Sequence, residues 1–363
     1  MLSTNKEKSV VGLDIEAGSV AASELLSNGT AAVAQTAIAP LDAGLFKEGE
    51  VVDAEALAAA LRSLFAAHKL SKTVRVGVAN QRVTVRTLRL PLIENPEELD
   101  TAVRFQAQEH LPMPADQAVI DHQVVARYSD GEGVRSMDVV AVAARRDMLS
   151  TLLSAVRGAG LRPVGIDLSA FAMIRALARE AADTFAAPVA EAAPAEGEYM
   201  PTALYCNLGD VTNLAVARGA TCLFTRISPF GVETIAQRLA ERRTLALDHA
   251  RQWLAHVGLE RPTHEIEGDA EIVAATREVL EEGASKLADE LRLSLEFYGA
   301  QEGAPAVERI IVAGPGSTIP GLIDGLQTQL GQAFSTARPS ALEQLGDEAA
   351  ARLTVSYGLA LEE

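Results

Sequence analysis

Ser9-Val10-Val11-Gly12-Leu13-Asp14-Ile15-Glu16-Ala17-Gly18-Ser19-Val20-Ala21-Ala22-Ser23-Glu24-Leu25 is an apolar run that meets one aspartate, a small turn and a second run. The pattern predicts a strand that stops at Asp14, turns over Gly18 and Ser19, and returns as a hairpin. The tip of such a hairpin offers backbone N–H groups, a hydroxyl and a carboxylate. That donor set suits the phosphates and Mg²⁺ of a nucleotide. Taken alone it is equally the description of a Gly-Ser turn capped by a neighbouring acid. A second copy changes its weight.

The second copy is Ala203-Leu204-Tyr205-Cys206-Asn207-Leu208-Gly209-Asp210-Val211-Thr212-Asn213-Leu214-Ala215-Val216. Asn207 takes the place of Asp14, and residues 208–212 that of residues 15–19. In both copies a third strand follows, at residues 31–38 and 221–227, and then a helix. A further strand at residues 308–313 runs into Gly314-Pro315-Gly316-Ser317, a third Gly-rich turn. Two such units about 190 residues apart predict a duplicated α/β chain with a cleft between its halves. This is the layout of the actin-like ATPase (ribonuclease H-like) fold.

Between the copies, Asp53 caps a helix carrying Leu57, Leu61, Leu64 and Phe65. Strands at residues 73–79 and 83–90 follow, with Asn80-Gln81 as the turn between them. Asn95-Pro96-Glu97-Glu98 starts a helix that runs to about His110 and stops at Pro112. Two more strands, a helix over residues 146–160, a short strand and a helix capped by Ser169 complete this half. Residues 182–201 are rich in Ala-Pro and Ala-Glu and read as a flexible linker or long loop. Beyond the second copy come helices near residues 231–242, 246–257 and 270–299. The end of the chain reads as a polar tail with a last apolar segment at residues 355–361.

The bulk numbers exclude whole classes. A chain of 363 residues has room for two cores. Its formal charge of −17 argues against nucleic acid and against an anionic bilayer. No apolar run reaches the roughly 18 residues a membrane helix needs, and residues 1–8 are too polar for a signal peptide. The expected compartment is the cytosol. Cys206 and Cys222 are too few for a disulfide framework and read as small buried hydrophobes on neighbouring strands. The six histidines are scattered and complete no metal site.

The order and spacing of several motifs resemble the PilM family, actin-like components of type IV pilus assembly that are themselves similar to FtsA. They are the hairpin at Gly12-Leu13-Asp14, then Leu90-Pro91 with Glu97-Glu98-Leu99, and Phe105 through Pro112. Residues 140–145 and 158–167, Phe224-Thr225-Arg226-Ile227, Val312 through Ser317 with Pro320-Gly321-Leu322, and Tyr357-Gly358-Leu359 continue the series. The resemblance implies a cytoplasmic protein at the inner face of the membrane that binds ATP or ADP with Mg²⁺. It also implies a partner, the cytoplasmic N-terminal segment of a PilN-like inner-membrane protein, together with other pilus assembly components. The domains expected are residues 1–73 plus 159–182 as the first half, 74–158 as an inserted partner-binding subdomain, 183–201 as the linker, and 202–363 as the second half. Residues 241–304 would be a smaller helical subdomain of that second half.

By the same resemblance Asp14 holds Mg²⁺, directly or through water, and Gly18 and Ser19 approach the β-phosphate. Gly209, Asp210 and Thr212 face the terminal phosphate. Asp248 and Arg251 match a pair that grips the adenosine, although three apart on a helix they also read as a solvated ion pair. Gly314, Gly316 and Ser317 lie against the adenosine. Two departures stand out. Glu16 brings a side chain and a charge where the family has glycine. Asn207 stands where the second hairpin has aspartate, and an amide cannot accept a proton from an attacking water. The expectation is therefore a nucleotide-binding scaffold that is at most a weak ATPase. The alternatives are a small-molecule kinase of the same superfold and an FtsA-like membrane-associated filament protein.

Overall fold

The computed structural model describes residues 9–26, 31–108, 113–129, 133–184, 200–301 and 303–361. The first half begins with β1 (Val11–Ile15), β2 (Ser19–Leu25) and β3 (Val33–Pro40), a meander in which β2 pairs antiparallel with both neighbours. A two-stranded ribbon, β4 (Phe46–Lys47) and β5 (Glu50–Val51), leads to helix α1 (Ala54–His68). Asp53 caps α1 by accepting from the Glu55 and Ala56 amides at 3.1 and 3.0 Å. Strand β6 (Thr73–Val78) then pairs parallel to β1.

The chain leaves this sheet after β6. β7 (Thr84–Pro91), helix α2 (Pro96–Gln108), β8 (Ala118–Ser129) and β9 (Arg135–Arg145) form a separate sheet in the order β7-β9-β8, with α2 packed on it. Residues 80 and 81 are thus not the tip of a hairpin. They mark the exit from one sheet to another. Asn95 caps α2 through the Glu97 amide at 2.9 Å. The expected end of this helix at His110 lies outside the described residues. Helix α3 (Arg146–Gly158) buries Met148, Leu149, Leu152 and Val156 in the first half's core, and β10 (Arg162–Leu168) completes the sheet order β10-β6-β1-β2-β3. β6 and α3 therefore belong to the first half, although the sequence placed them in the insertion. The inserted unit spans β7 through β9.

Helix α4 (Ser169–Thr184) crosses to the second half, and residues 185–199, most of the expected linker, lie outside the described residues. The second half repeats the first: β11 (Thr202–Leu208), β12 (Thr212–Arg218) and β13 (Thr221–Ser228) form the meander. Helices α5 (Val232–Arg243), α6 (Leu247–Val257) and α7 (Ala270–Gly299) follow, then β14 (Arg309–Ala313), helix α8 (Leu322–Leu330) and β15 (Phe334–Thr336). The sheet order is β13-β12-β11-β14-β15, the same plan as the first. Cys206 and Cys222 are both buried and free, but on β11 and β13, with β12 between them.

The last element is helix α9 (Asp347–Ala360), where the sequence shows only a polar tail and a short apolar segment. It returns to the first half. Its Leu359 packs with Ala172 of α4, its Tyr357 hydroxyl donates to the Ala31 carbonyl at 2.9 Å, and the Ser356 and Ser23 hydroxyls share a buried hydrogen bond of 2.8 Å. Gly12 of β1 lets it in, because a Cβ there would overlap the Ser356 carbonyl oxygen. One core accordingly runs between the halves, from Ala21 and Met173 through Tyr205 and Ile311 to Leu353.

Candidate functional site

The two hairpins face each other across this shared core. In the first, the backbone closes a tight turn, with the Glu16 amide donating to the Ser19 carbonyl at 2.9 Å. The Ala17 amide is left pointing across the cleft, and it donates to Asp210 Oδ2 of the second hairpin at 2.9 Å. Asp210 Oδ1 also accepts from the Val211 amide at 2.7 Å. From the other side, Glu16 reaches the second hairpin: a Cβ on Gly209 would overlap its Oε1, and Asn207 hydrogen-bonds its carboxylate. Each hairpin thus holds a carboxylate of the other.

Asp14 is buried at the end of β1, with 8 % of its surface exposed, and bonds the Ser169 hydroxyl at the start of α4. Loss of hydration, followed by the nearby Asp210 charge, pushes its carboxyl up to about 7. Desolvation pushes Asp210 up to about 6, against the two amides that hold its charged form. Glu16 is raised well above the usual carboxylate range by desolvation and by the Asp210 and Asp14 charges, while Arg352 opposes the shift. Arg352 comes from α9 and donates to the Ser19 hydroxyl at 3.2 Å. Asp14, Glu16, Ser169 and Asp210 line a cavity of about 10 Å³ with Asn207, Asn213 and Ala79.

Arg251 does not face outward as one half of a solvated pair. Its Nε donates to Glu233 Oε2 of α5 at 2.9 Å, and its guanidinium lies over the first hairpin, 2.6 Å from where a Gly18 Cβ would be. Asp248 pairs with it from an exposed position. Thr212 is fully buried and donates its hydroxyl to the Phe230 carbonyl at 2.7 Å, so it supports the second hairpin from behind and does not face the cleft. Gly314, at φ +82, packs on the Asn207 side chain, and Gly316 packs on Leu208 and Val232. Ser317 donates to the Gly314 carbonyl at 2.7 Å and so shapes its own turn.

Asp14, Gly18, Ser19, Asn207, Gly209, Asp210, Arg251 and Gly314 therefore converge, while Thr212 and Asp248 stand apart. Glu233, Arg352, Ser169 and Asn213 join the site without any mark in the sequence that points to it. Ser169 read only as a helix cap, and Arg352 is 333 residues from the serine it touches, in a segment read as a tail. Asn213 is 1 % exposed, and neither its amide nitrogen nor its oxygen has a protein partner.

Among the described residues no group of three or more His, Cys, Asp or Glu is arranged to chelate a metal. Mg²⁺ here would need one carboxylate, waters and the ligand's own phosphates, which is how Mg²⁺ is commonly held at phosphates. The turns retain the shape for phosphates, with Gly18 and Gly209 free of side chains. Room for phosphates appears only if Glu16 and Asp210 withdraw.

A second, larger cavity of about 440 Å³ opens between the inserted sheet and the second half. Val83 and Thr84 to Arg86 of the insertion form one wall, with Phe224 to Ile227 and Phe297 opposite, and Asn213 lies between this cavity and the cleft. It contains Arg86 and Arg226 and no acid.

The chain matches the family model for type IV pilus assembly protein PilM over residues 12–363. Among solved structures it is similar to a chain of a PilM-PilN type IV pilus biogenesis complex, at 27% identity, with 97% of both chains covered and a TM-score of 0.78. It is more distantly similar to MreB5 of Spiroplasma citri bound to ADP, at 12% identity over 97% of this chain and 95% of that one, TM-score 0.53. The ethanolamine utilization protein EutJ from Carboxydothermus hydrogenoformans aligns at 14% identity over 97% and 89%, TM-score 0.52. The last two speak for the actin-like fold alone. On the family match, the chain belongs to the type IV pilus assembly protein PilM family.

Proposed function

We propose that this chain is a cytoplasmic scaffold of pilus assembly that grips the short N-terminal segment of a PilN-like inner-membrane protein. The observation that carries this reading is the full-length likeness to a chain of the PilM-PilN complex. The inserted sheet supports it. Its edge strand β7 borders the 440 Å³ cavity, whose valines, phenylalanines and Arg86, beside an Arg226 that pairs with Glu290 at 3.7 Å, suit a peptide with apolar side chains and an acid. The interlobe cleft, in the same reading, holds ATP or ADP with Mg²⁺ through Asp14 and the two hairpins and does not turn it over efficiently. Asn207 supports that limit, since its amide bonds Glu16 and offers no base for water.

The test is fluorescence anisotropy with a labelled peptide covering the first ~20 residues of a PilN-like protein from the same genome. We expect saturable binding, and Val85→Glu to weaken it at least about tenfold with an unchanged thermal melt. Equal affinity for both proteins would remove the cavity from the docking site, and no binding by either would defeat the scaffold reading. ATP hydrolysis at about 1 s⁻¹ or faster would overturn the holding role.

A further inference from the structure

The two carboxylates that cross the cleft do so in opposite directions. Asp210 takes the Ala17 amide, a donor of the first hairpin that no carbonyl of the turn accepts. Glu16 lies on the Gly209 backbone, where the absence of a side chain would otherwise let a phosphate approach. A carboxylate oxygen and a phosphate oxygen are both anionic acceptors, so both compete for the same N–H. The countercharge is supplied from within. Arg352 reaches in from α9 to Ser19, and Arg251, held by Glu233, lies over Gly18. The Ala17 amide and the two arginines, groups that a bound triphosphate would use, are thereby engaged within the protein.

We propose that Glu16 and Asp210 form a reciprocal latch that shuts the cleft without nucleotide and that the phosphates of an entering nucleoside triphosphate must displace. This rests on the reading of the cleft as a nucleotide site, and it goes beyond that reading in making Glu16 the residue that sets its affinity. The latch couples halves joined by α4 and α9, so its release would free the second hairpin relative to the first.

Two measurements on the full chain test it. Hydrogen exchange of the Ala17 amide in the nucleotide-free protein reads the latch directly, and titration with a fluorescent ATP analogue and Mg²⁺ reads the competition. With Glu16→Gly, the expected results are Ala17 exchange faster by at least about tenfold and nucleotide binding tighter by at least about tenfold. Glu16→Ala is the second variant, should glycine loosen the turn itself. Unchanged Ala17 exchange in both variants would overturn the latch. Faster exchange with equal nucleotide affinity would overturn the competition. Faster exchange with no nucleotide binding by any of the three proteins would leave a latch and refute the nucleotide reading, so the two failures are distinguishable.

Discussion

Asp14 and Asp210 carry their charges at a cost, and that cost sets a pH dependence. Both carboxyls are shifted upward, to about 7 and about 6 respectively, chiefly by lost hydration. In the unfolded chain they titrate near 4. Between those values the folded protein binds more protons than the unfolded one, so stability falls as pH rises. Their contribution is fully present below about pH 4 and is lost as pH passes through 6 to 7. With divalent cations chelated, melting temperature should drop by several degrees between pH 5.5 and 8, on the order of 2–4 °C for each kcal/mol lost. Asp14→Asn, which has no proton to lose, should flatten that slope. A melt that rises over the same interval, or an equal slope in the variant, would contradict it. At this scale the sequence was informative in one direction only. The hairpin residues were legible because Gly and Ser at a turn advertise a close backbone approach. Glu233, Arg251's partner, and Arg352, Ser19's partner, carry no local mark, since an ion pair or hydrogen bond across two elements leaves no trace in either segment.

Helix α9 shows how an element escapes sequence reading. Amphipathic helices betray themselves by alternating faces, but nearly every residue of α9 from Ala350 to Ala360 is buried. It is enclosed by β1, β2 and α4, so it has no polar stripe to count. The meanders were legible for the opposite reason: short apolar strands separated by turn residues repeat in the same order in both halves. The parallel pairing of β6 with β1 was not, because β6 and β7 are close in sequence and look like a hairpin until their partners are known. Docking of α9 depends on Gly12, where any side chain would meet backbone. Gly12→Val should therefore cost at least about 1–3 kcal/mol in chemical denaturation, the range for an overpacked core. Gly299→Ala is the matched control. It ends α7 with open space around it, and should be neutral or stabilising by up to about 1 kcal/mol. Equal stability of wild type and Gly12→Val would mean that α9 does not lie on β1.

At the scale of the whole molecule, charge and architecture point to the same arrangement. The chain carries 49 acidic against 32 basic residues, a balance that repels an anionic membrane surface. No helix among the described residues is long and apolar enough to cross a bilayer. In the proposed scaffold role the partner's peptide carries the chain to the membrane, and the acid-free cavity described above sits where the inserted sheet meets the second half. The net charge is negative, whereas this recess is lined by Arg86 and Arg226 and by no acid. Vesicles containing phosphatidylglycerol should leave the protein in the supernatant at about 0.1 M salt, where charges still act over about 10 Å. The same vesicles displaying the lipid-anchored PilN-like N-terminal peptide should bring it down, and Val85→Glu should prevent this. If bare vesicles sediment the chain, membrane contact is direct and the peptide is dispensable for recruitment. If peptide-bearing vesicles fail while free peptide binds, the recess faces away from the bilayer when occupied, and recruitment needs a longer tether.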